Sequence, residues 1–136
     1  MNLLVAHLMS NLTASMRFPG SLNIDLNEIT MNLVPFPRMH FLQSSLAPLY
    51  SIIKTNSPPR PMDLMFQDIL HQDFQLIQSN PIKHKYLALG MLIRGEVAFS
   101  DVSRNIDKIK KKVNMINWNS EGFKYGICSV SSVNYK

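Results

Sequence analysis

The chain has 136 residues, 46% of them hydrophobic and 17% charged, with fourteen Lys and Arg against nine Asp and Glu for a net charge of +5. That is one domain's worth of material with enough apolar surface to build a core, which excludes general disorder. One cysteine excludes an internal disulfide framework and fits a reducing compartment, no apolar run approaches a bilayer span, and Met1-Asn2 provides no basic start for a signal peptide.

Leu4, Val5, Leu8, Met9, Leu12 and Met16 recur at helical spacing, and Leu3, Ala6 and Ala14 widen the stripe until little polar face remains. Such a helix is expected to be central and packed on several sides. The chain opens inside it without a capping residue. Arg17-Phe18-Pro19-Gly20 ends it, since proline cannot continue a helix and glycine permits a sharp exit. Asn23 or Asp25 can cap the next helix, with Leu26, Ile29 and Leu33 inward and Pro35-Phe36-Pro37 as its stop. Met39-His40-Phe41-Leu42 is expected to be a short strand. Ala47 to Pro61, with Pro48, Pro58, Pro59 and Pro61, is a long loop of the kind that is usually functional.

A helix follows on Met62, Met65, Phe66, Ile69 and Leu70, with Pro61 suited to its first turn. Tyr86 to Ile93 is a continuous apolar run of strand length, expected to be covered on both faces and closed by Arg94-Gly95. Ser100-Asp101 is the expected cap of another helix, with Val102, Ile106, Ile109 and Val113 inside and Lys108, Lys110, Lys111 and Lys112 in its last turn. Tyr125 to Val130 is the final strand. Helices alternating with strands predict one mixed α/β sheet, of the two-layer α+β type, flanked by helices.

The chemistry-bearing residues are few. The lysine run lacks interleaved aromatics and suits a solvated helix end, so no nucleic-acid partner is expected. His7, His40, His71 and His84 are scattered without ligand spacing, and no metal site is expected. Cys128 lies in an apolar strand as a small core residue. Asn11-Leu12-Thr13 matches a glycosylation pattern but falls in a helix expected to be buried. Five unclustered glycines leave no phosphate-cradling loop. Asp25 and Glu28 are the one pair to pursue: three residues apart, they share a helix face in the first turn, where carboxylates are stabilised by the dipole. A well-capped helix start accounts for them by itself. No base, nucleophile or metal ligand within the chain partners them, so any chemistry they do falls on something bound from outside.

Arg17 to Leu26, Asn32 to Phe41, Ala47-Pro48-Leu49, Tyr86-Leu87-Ala88, Ile93-Arg94-Gly95, Asn117-Trp118-Asn119 and Lys124 to Val130 together resemble tubulin, in order, over essentially the whole chain. Ser44 to Tyr50, Gln75 to Gln78 and Trp118 to Gly122 look most like the family's epsilon branch, that of centrioles and basal bodies. The resemblance implies residues 1–18 of a central helix followed by an incomplete intermediate domain over residues 19–136, with the GTP-binding phosphate loop upstream and one strand and the C-terminal helices downstream. It implies a fragment of a cytoskeletal GTP-binding protein, located in the cytoplasm at the centrosome, centriole or basal body. Its partners would be other tubulin subunits, not a membrane or a nucleic acid.

By the same resemblance, Asn2 matches the asparagine that binds the guanine base. Asp25 and Glu28 match the acidic residues that act in trans on the GTP, with its Mg, of the next subunit along the protofilament. The beta member has lysine at the position of Glu28 and leaves its neighbour's nucleotide unhydrolysed, so glutamate here is similar to the hydrolysis-promoting alpha state. The loop from Pro48 to Pro61 matches the lateral-contact loop, though Pro58 and Pro59 depart from the alpha and beta pattern. The isolated chain is expected to be inactive, to bind GTP weakly if at all, and to be marginally soluble. A freestanding module that binds or caps tubulin without nucleotide is the alternative function.

Overall fold

The computed structural model describes residues 2–47, 49 and 61–130. The chain divides into two compact units, one of Met1–His40, Tyr86–Ala98 and Met115–Lys136, the other of Phe41–Lys85 and Phe99–Asn114.

In the first unit α1 (Asn2–Leu12) and the short α2 (Ala14–Arg17) divide the predicted first helix at Thr13. The cause is local: the Thr13 hydroxyl donates back to the Met9 carbonyl at 3.0 Å, competing with the backbone for that acceptor. The expectation of a helix packed on several sides does not hold in this chain. No residue of α1 is buried, and Leu3, Val5 and Met9 are 44 to 59% exposed. A stripe apolar all round needs more covering surface than these residues supply. Burial begins at Ala14 and Ser15 in α2.

Helix α3 (Leu26–Leu33) begins at Asp25, as the sequence predicts, and ends where Val34 turns to extended geometry (φ −103°, ψ 93°) ahead of Pro35. Leu33 reaches across to β2 (Leu89–Arg94) and packs over Gly90, where a Cβ would meet its Cδ1 at 3.0 Å. Strand β2 runs parallel to β4 (Phe123–Cys128), in register from Leu89 opposite Phe123 to Arg94 opposite Cys128. Parallel neighbours need a long crossover, and residues 95–122, including α5 (Phe99–Lys112), make it. On β4, Ile127 also pairs antiparallel with Leu22. The ladder around β4 is therefore mixed, as predicted, but it comprises one parallel pair and one bridge. The short strands β1 (Lys85–Tyr86) and β3 (Asn114–Met115) form a separate pair. Full coverage of β2 is also not found: Met91 is buried, whereas Gly90 is exposed. The core of this unit is Ala14, Met91, Phe123, Ile127 and Cys128.

In the second unit α4 (Met62–Ile69) follows Pro61 and buries Phe66, and Leu70 beyond its end is buried too. Helix α5 buries Val102, Ile106 and Ile109, with Val113 just after it, the face the sequence predicts. It starts at Phe99, so Ser100 and Asp101 lie within the first turn and do not cap it. The predicted strand at Met39 to Leu42 is absent. Met39 and Phe41 are 55% and 89% exposed, and this extended stretch first joins a ladder at Ser45, bridged antiparallel to Gln75. Strand-like composition yields a strand only against a paired edge that buries its alternate side chains.

Asp63 of α4 accepts from the nearly buried Asn105 of α5, and Arg104 and Lys108 lie 3.6 and 3.8 Å from its carboxylate. The Asn105 hydrogen bond first, then the two cations, hold Asp63 below its ordinary 3.8 against an opposing desolvation. A depressed carboxylate adds stability that is present above its unfolded value and lost as pH falls through the folded one. The α4–α5 pairing should therefore weaken below about pH 4. Asn105→Ala should move the Asp63 titration, followed by carboxyl NMR, upward; an unmoved titration would assign the depression to the cations alone.

Candidate functional site

The site is the segment from Phe18 to Asn32, in the first unit. Its carboxylates are placed by a capping box. Glu28 N–H donates to Asp25 Oδ1 at 2.7 Å, and Asp25 N–H donates to Glu28 Oε2 at 3.4 Å. Sequence reasoning pairs these residues and the structure brings them together. Both are exposed, and among the described residues the second oxygen of each carboxylate takes no hydrogen bond. The helix behind them is reinforced by Thr30 Oγ1 donating to the Leu26 carbonyl at 3.0 Å and by the Asn32 amide donating to the Glu28 carbonyl at 2.7 Å. The result is a pair of exposed acceptors on one helical turn, tied to each other's backbone. Such a pair can orient a water molecule and accept its protons, but cannot by itself supply an electrophile or a nucleophile.

The loop that leads to Asp25 is tied to β4. Ile127 N–H donates to the Leu22 carbonyl at 2.9 Å and Ser129 N–H to that of Pro19 at 3.3 Å. At the loop's start, Phe18 leaves α2 in extended geometry, with the guanidinium of Arg17 5.1 Å and that of Arg94 5.2 Å from its ring centroid. Arg94 also donates to the Val130 carbonyl at 3.0 Å and to Asn11 Oδ1 at 3.1 Å. Asn11, matched in sequence to a glycosylation pattern, is thus engaged within the fold. Gly95 follows with φ 131°, a backbone region that other residues rarely adopt, so the chain can turn sharply once Arg94 is in place. In the sequence, Arg94-Gly95 and Arg17-Phe18 mark element ends and belong to the stretches that resemble tubulin, with no role at the site. The signal for their joint role was a cation closing an apolar strand, but nothing in the sequence showed which aromatic it would meet.

Asn2 stands elsewhere, exposed in the first turn of α1, roughly 15 Å along that helix from Leu12. No hydrogen bond joins it to Asp25 or Glu28 among the described residues. Cys128 is buried, its Sγ 3.8 Å from the Ala14 carbonyl, as expected of a small core residue. Lys110, Lys111 and Lys112 close α5 at its negative dipole end. Among the described residues no three His, Cys, Asp or Glu gather as a metal site, and no helix is long and apolar enough to cross a membrane. Pro48, Pro58 and Pro59 of the predicted lateral loop lie outside the described residues, and Pro61 precedes α4. An open cavity of about 540 Å³ lies beside Ser21, Gly95, Glu96, Ile127 and Ser129, at the C-terminal ends of β2 and β4.

Comparison with known proteins gives this geometry its context. A family profile described as the tubulin C-terminal domain matches residues 37–136. The mouse tubulin epsilon chain is 51% identical over 135 residues, which cover 99% of this chain and 28% of that protein. Its human counterpart is 50% identical with the same coverage. The tubulin alpha-3 chain of Saccharomyces cerevisiae is 41% identical over 130 residues, 94% of this chain and 29% of that protein. The chain thus spans a little over a quarter of the length of these relatives. With a profile matching most of its residues and high identity over nearly all of them, the chain belongs to the tubulin family.

Proposed function

We propose that this chain works within a tubulin-type cytoskeletal subunit of the epsilon kind, built into centriole or basal-body microtubules. In this reading Asp25 and Glu28 act in trans on GTP held by the next subunit. Residues 1–18 serve as the end of the central helix and residues 19–136 as the intermediate domain. Asn2 would contact the guanine base of the subunit's own nucleotide. Neighbouring subunits would meet it longitudinally through the Asp25 segment and laterally through the loop from Pro48 to Pro61.

The capping box carries the reading. It fixes two exposed carboxylates on one turn while leaving an oxygen of each without a hydrogen bond among the described residues, which supports a trans acceptor pair. GTP with its Mg would supply the terminal phosphate as electrophile. The chain's own residues supply acceptors that orient the attacking water and draw off its proton. In phosphoryl transfer, positioning and charge account for most of the catalysis. A terminal helix residue such as Asn2 cannot hold a nucleotide without a phosphate-binding loop.

The purified 136-residue chain, titrated with a fluorescent GTP analogue, should therefore show no saturable binding at micromolar concentration. Tight stoichiometric binding would place the nucleotide within this chain and overturn the trans assignment.

A further inference from the structure

We propose that Arg94 is the positioning residue for the Asp25–Glu28 pair: it clamps the loop that carries them to the C-terminal end of the β2–β4 ladder. The catalytic part of this proposal rests on the trans reading above; the clamp does not.

The argument begins with what Arg94 touches. It is the last residue of β2 and partly buried, and each of its contacts belongs to a different segment of the first unit. Nε donates to the Val130 carbonyl just beyond β4, Nη1 to Asn11 of α1, and the guanidinium carbon lies over the ring of Phe18, the first residue of the loop. All three partners are neutral, and among the described residues no carboxylate pairs with it. A partly buried cation without a counter-ion is costly unless its donors are satisfied and its face is used. Here two of the five N–H donors and the contact with the Phe18 ring are used, and all of them tie down the same junction.

Phe18 is also approached by the last residue of α2. Arg17, whose guanidinium also approaches the ring, is fixed by the Ser10 carbonyl at 2.7 Å, the Ser10 hydroxyl at 3.0 Å and the Thr13 hydroxyl at 3.2 Å. The loop thus has a clamped origin at Phe18, anchors on β4 at Pro19 and Leu22, and the capping box at its far end. Asp25 lies seven positions after Phe18. Without the clamp, the position of the exposed carboxylates would rest on two backbone hydrogen bonds and on the packing of Ile24 against Gly126 and of Leu33 over Gly90. For a trans acceptor pair that looseness matters, because a misplacement of about 1 Å can cost on the order of a hundredfold in rate.

Lysine cannot replace this residue. It is a point charge on a flexible stem, without a planar face to lay on Phe18 or two donors fixed in diverging directions. This separates a clamp from a general need for bulk or charge.

The test compares Arg94→Lys, Arg94→Gln, Phe18→Leu and Phe18→Tyr by hydrogen exchange on the full chain. The reporters are the Ile127 and Ser129 amides, which donate to the loop. The reference is the Leu89 amide, which donates to the Gly122 carbonyl at 2.7 Å within the ladder. Arg94→Lys, Arg94→Gln and Phe18→Leu should raise exchange at the reporters by about tenfold with Leu89 unchanged. Phe18→Tyr, which keeps the aromatic face, should behave as the parent. Wild-type protection in Arg94→Lys, or reporters and reference rising together, would overturn the clamp. In assembled full-length subunits carrying this segment, Arg94→Lys should lower turnover of the neighbour's GTP by about tenfold with that nucleotide's affinity unchanged. If Glu28→Gln leaves turnover intact, the trans reading fails while the exchange result still decides the clamp.

Discussion

Glu28→Gln in a full-length subunit carrying this segment should slow hydrolysis of the neighbouring subunit's GTP by on the order of 10² to 10⁴, while leaving α3 and the subunit's own nucleotide affinity nearly unchanged. The capping box makes this substitution informative. Its reciprocal hydrogen bonds need an acceptor at the third helical residue, and glutamine supplies one as well as glutamate does. Glutamine removes only the negative charge, and with it the capacity to draw a proton from water. Glu28→Ala removes the charge and the side-chain half of the capping box, while Asp25 still accepts from the backbone N–H of residue 28, and should cost helix stability of about 0.5 kcal/mol as well. The two variants therefore separate the structural use of this residue from its chemical one. Asp25→Asn behaves similarly, since asparagine is as good an N-cap as aspartate. The measurement is phosphate release from assembled subunits, with nucleotide content determined separately. Equal turnover in Glu28→Gln and the parent would leave the pair as a cap and nothing more. A loss of the subunit's own nucleotide affinity would place the effect in cis.

Asp25 and Glu28 were legible in the sequence because capping is local. An acidic residue three positions before a glutamate, ahead of an apolar stripe and behind a Pro-Gly exit, can be read from spacing, and the helix stops where Pro35 requires it. The inner face of α5 was equally legible, its apolar residues recurring at helical spacing along fourteen residues. What failed depended on partners distant in sequence. The stretch from Met39 to Leu42 has strand composition, but its pairing lies beyond it, at Ser45 with Gln75. The apolar first helix predicted a burial that needs surface from other elements, and among the described residues α1 buries none of its own. Arg94 illustrates the same limit at the site. Its partners are 83 residues away at Asn11 and 36 away at Val130, and no periodicity links such positions. Short-range order specified the carboxylates, while long-range packing specified what holds them.

Gly20→Ala should be the most damaging small substitution in the site's support, costing about 2 to 3 kcal/mol and loosening the loop with it. A Cβ at Gly20 would collide with the Ile127 carbonyl oxygen and approach Cys128 Cα at 2.9 Å and Asn23 Oδ1 at 2.7 Å. Two of these three atoms are backbone of β4, a strand fixed by its parallel register with β2, so they cannot step aside. The loop itself must lift away, and the hydrogen bonds to the Leu22 and Pro19 carbonyls lengthen or break as it does. Gly126→Ala provides the comparison. Its added methyl would meet Ile24 Cδ1 and Cγ1 at 2.9 Å and the Leu22 carbonyl at 3.2 Å. Ile24 is only half-buried and can turn to another rotamer, so that change should cost about 1 kcal/mol. Urea unfolding of both variants should therefore rank Gly20→Ala well below Gly126→Ala in stability. Exchange at the Ile127 and Ser129 amides should rise in Gly20→Ala beyond what its global loss explains. Equal costs for the two glycines would mean that the loop gives way as easily as a side chain. The approach of the Phe18–Asp25 segment to β4 would then not be what holds the acidic pair in place.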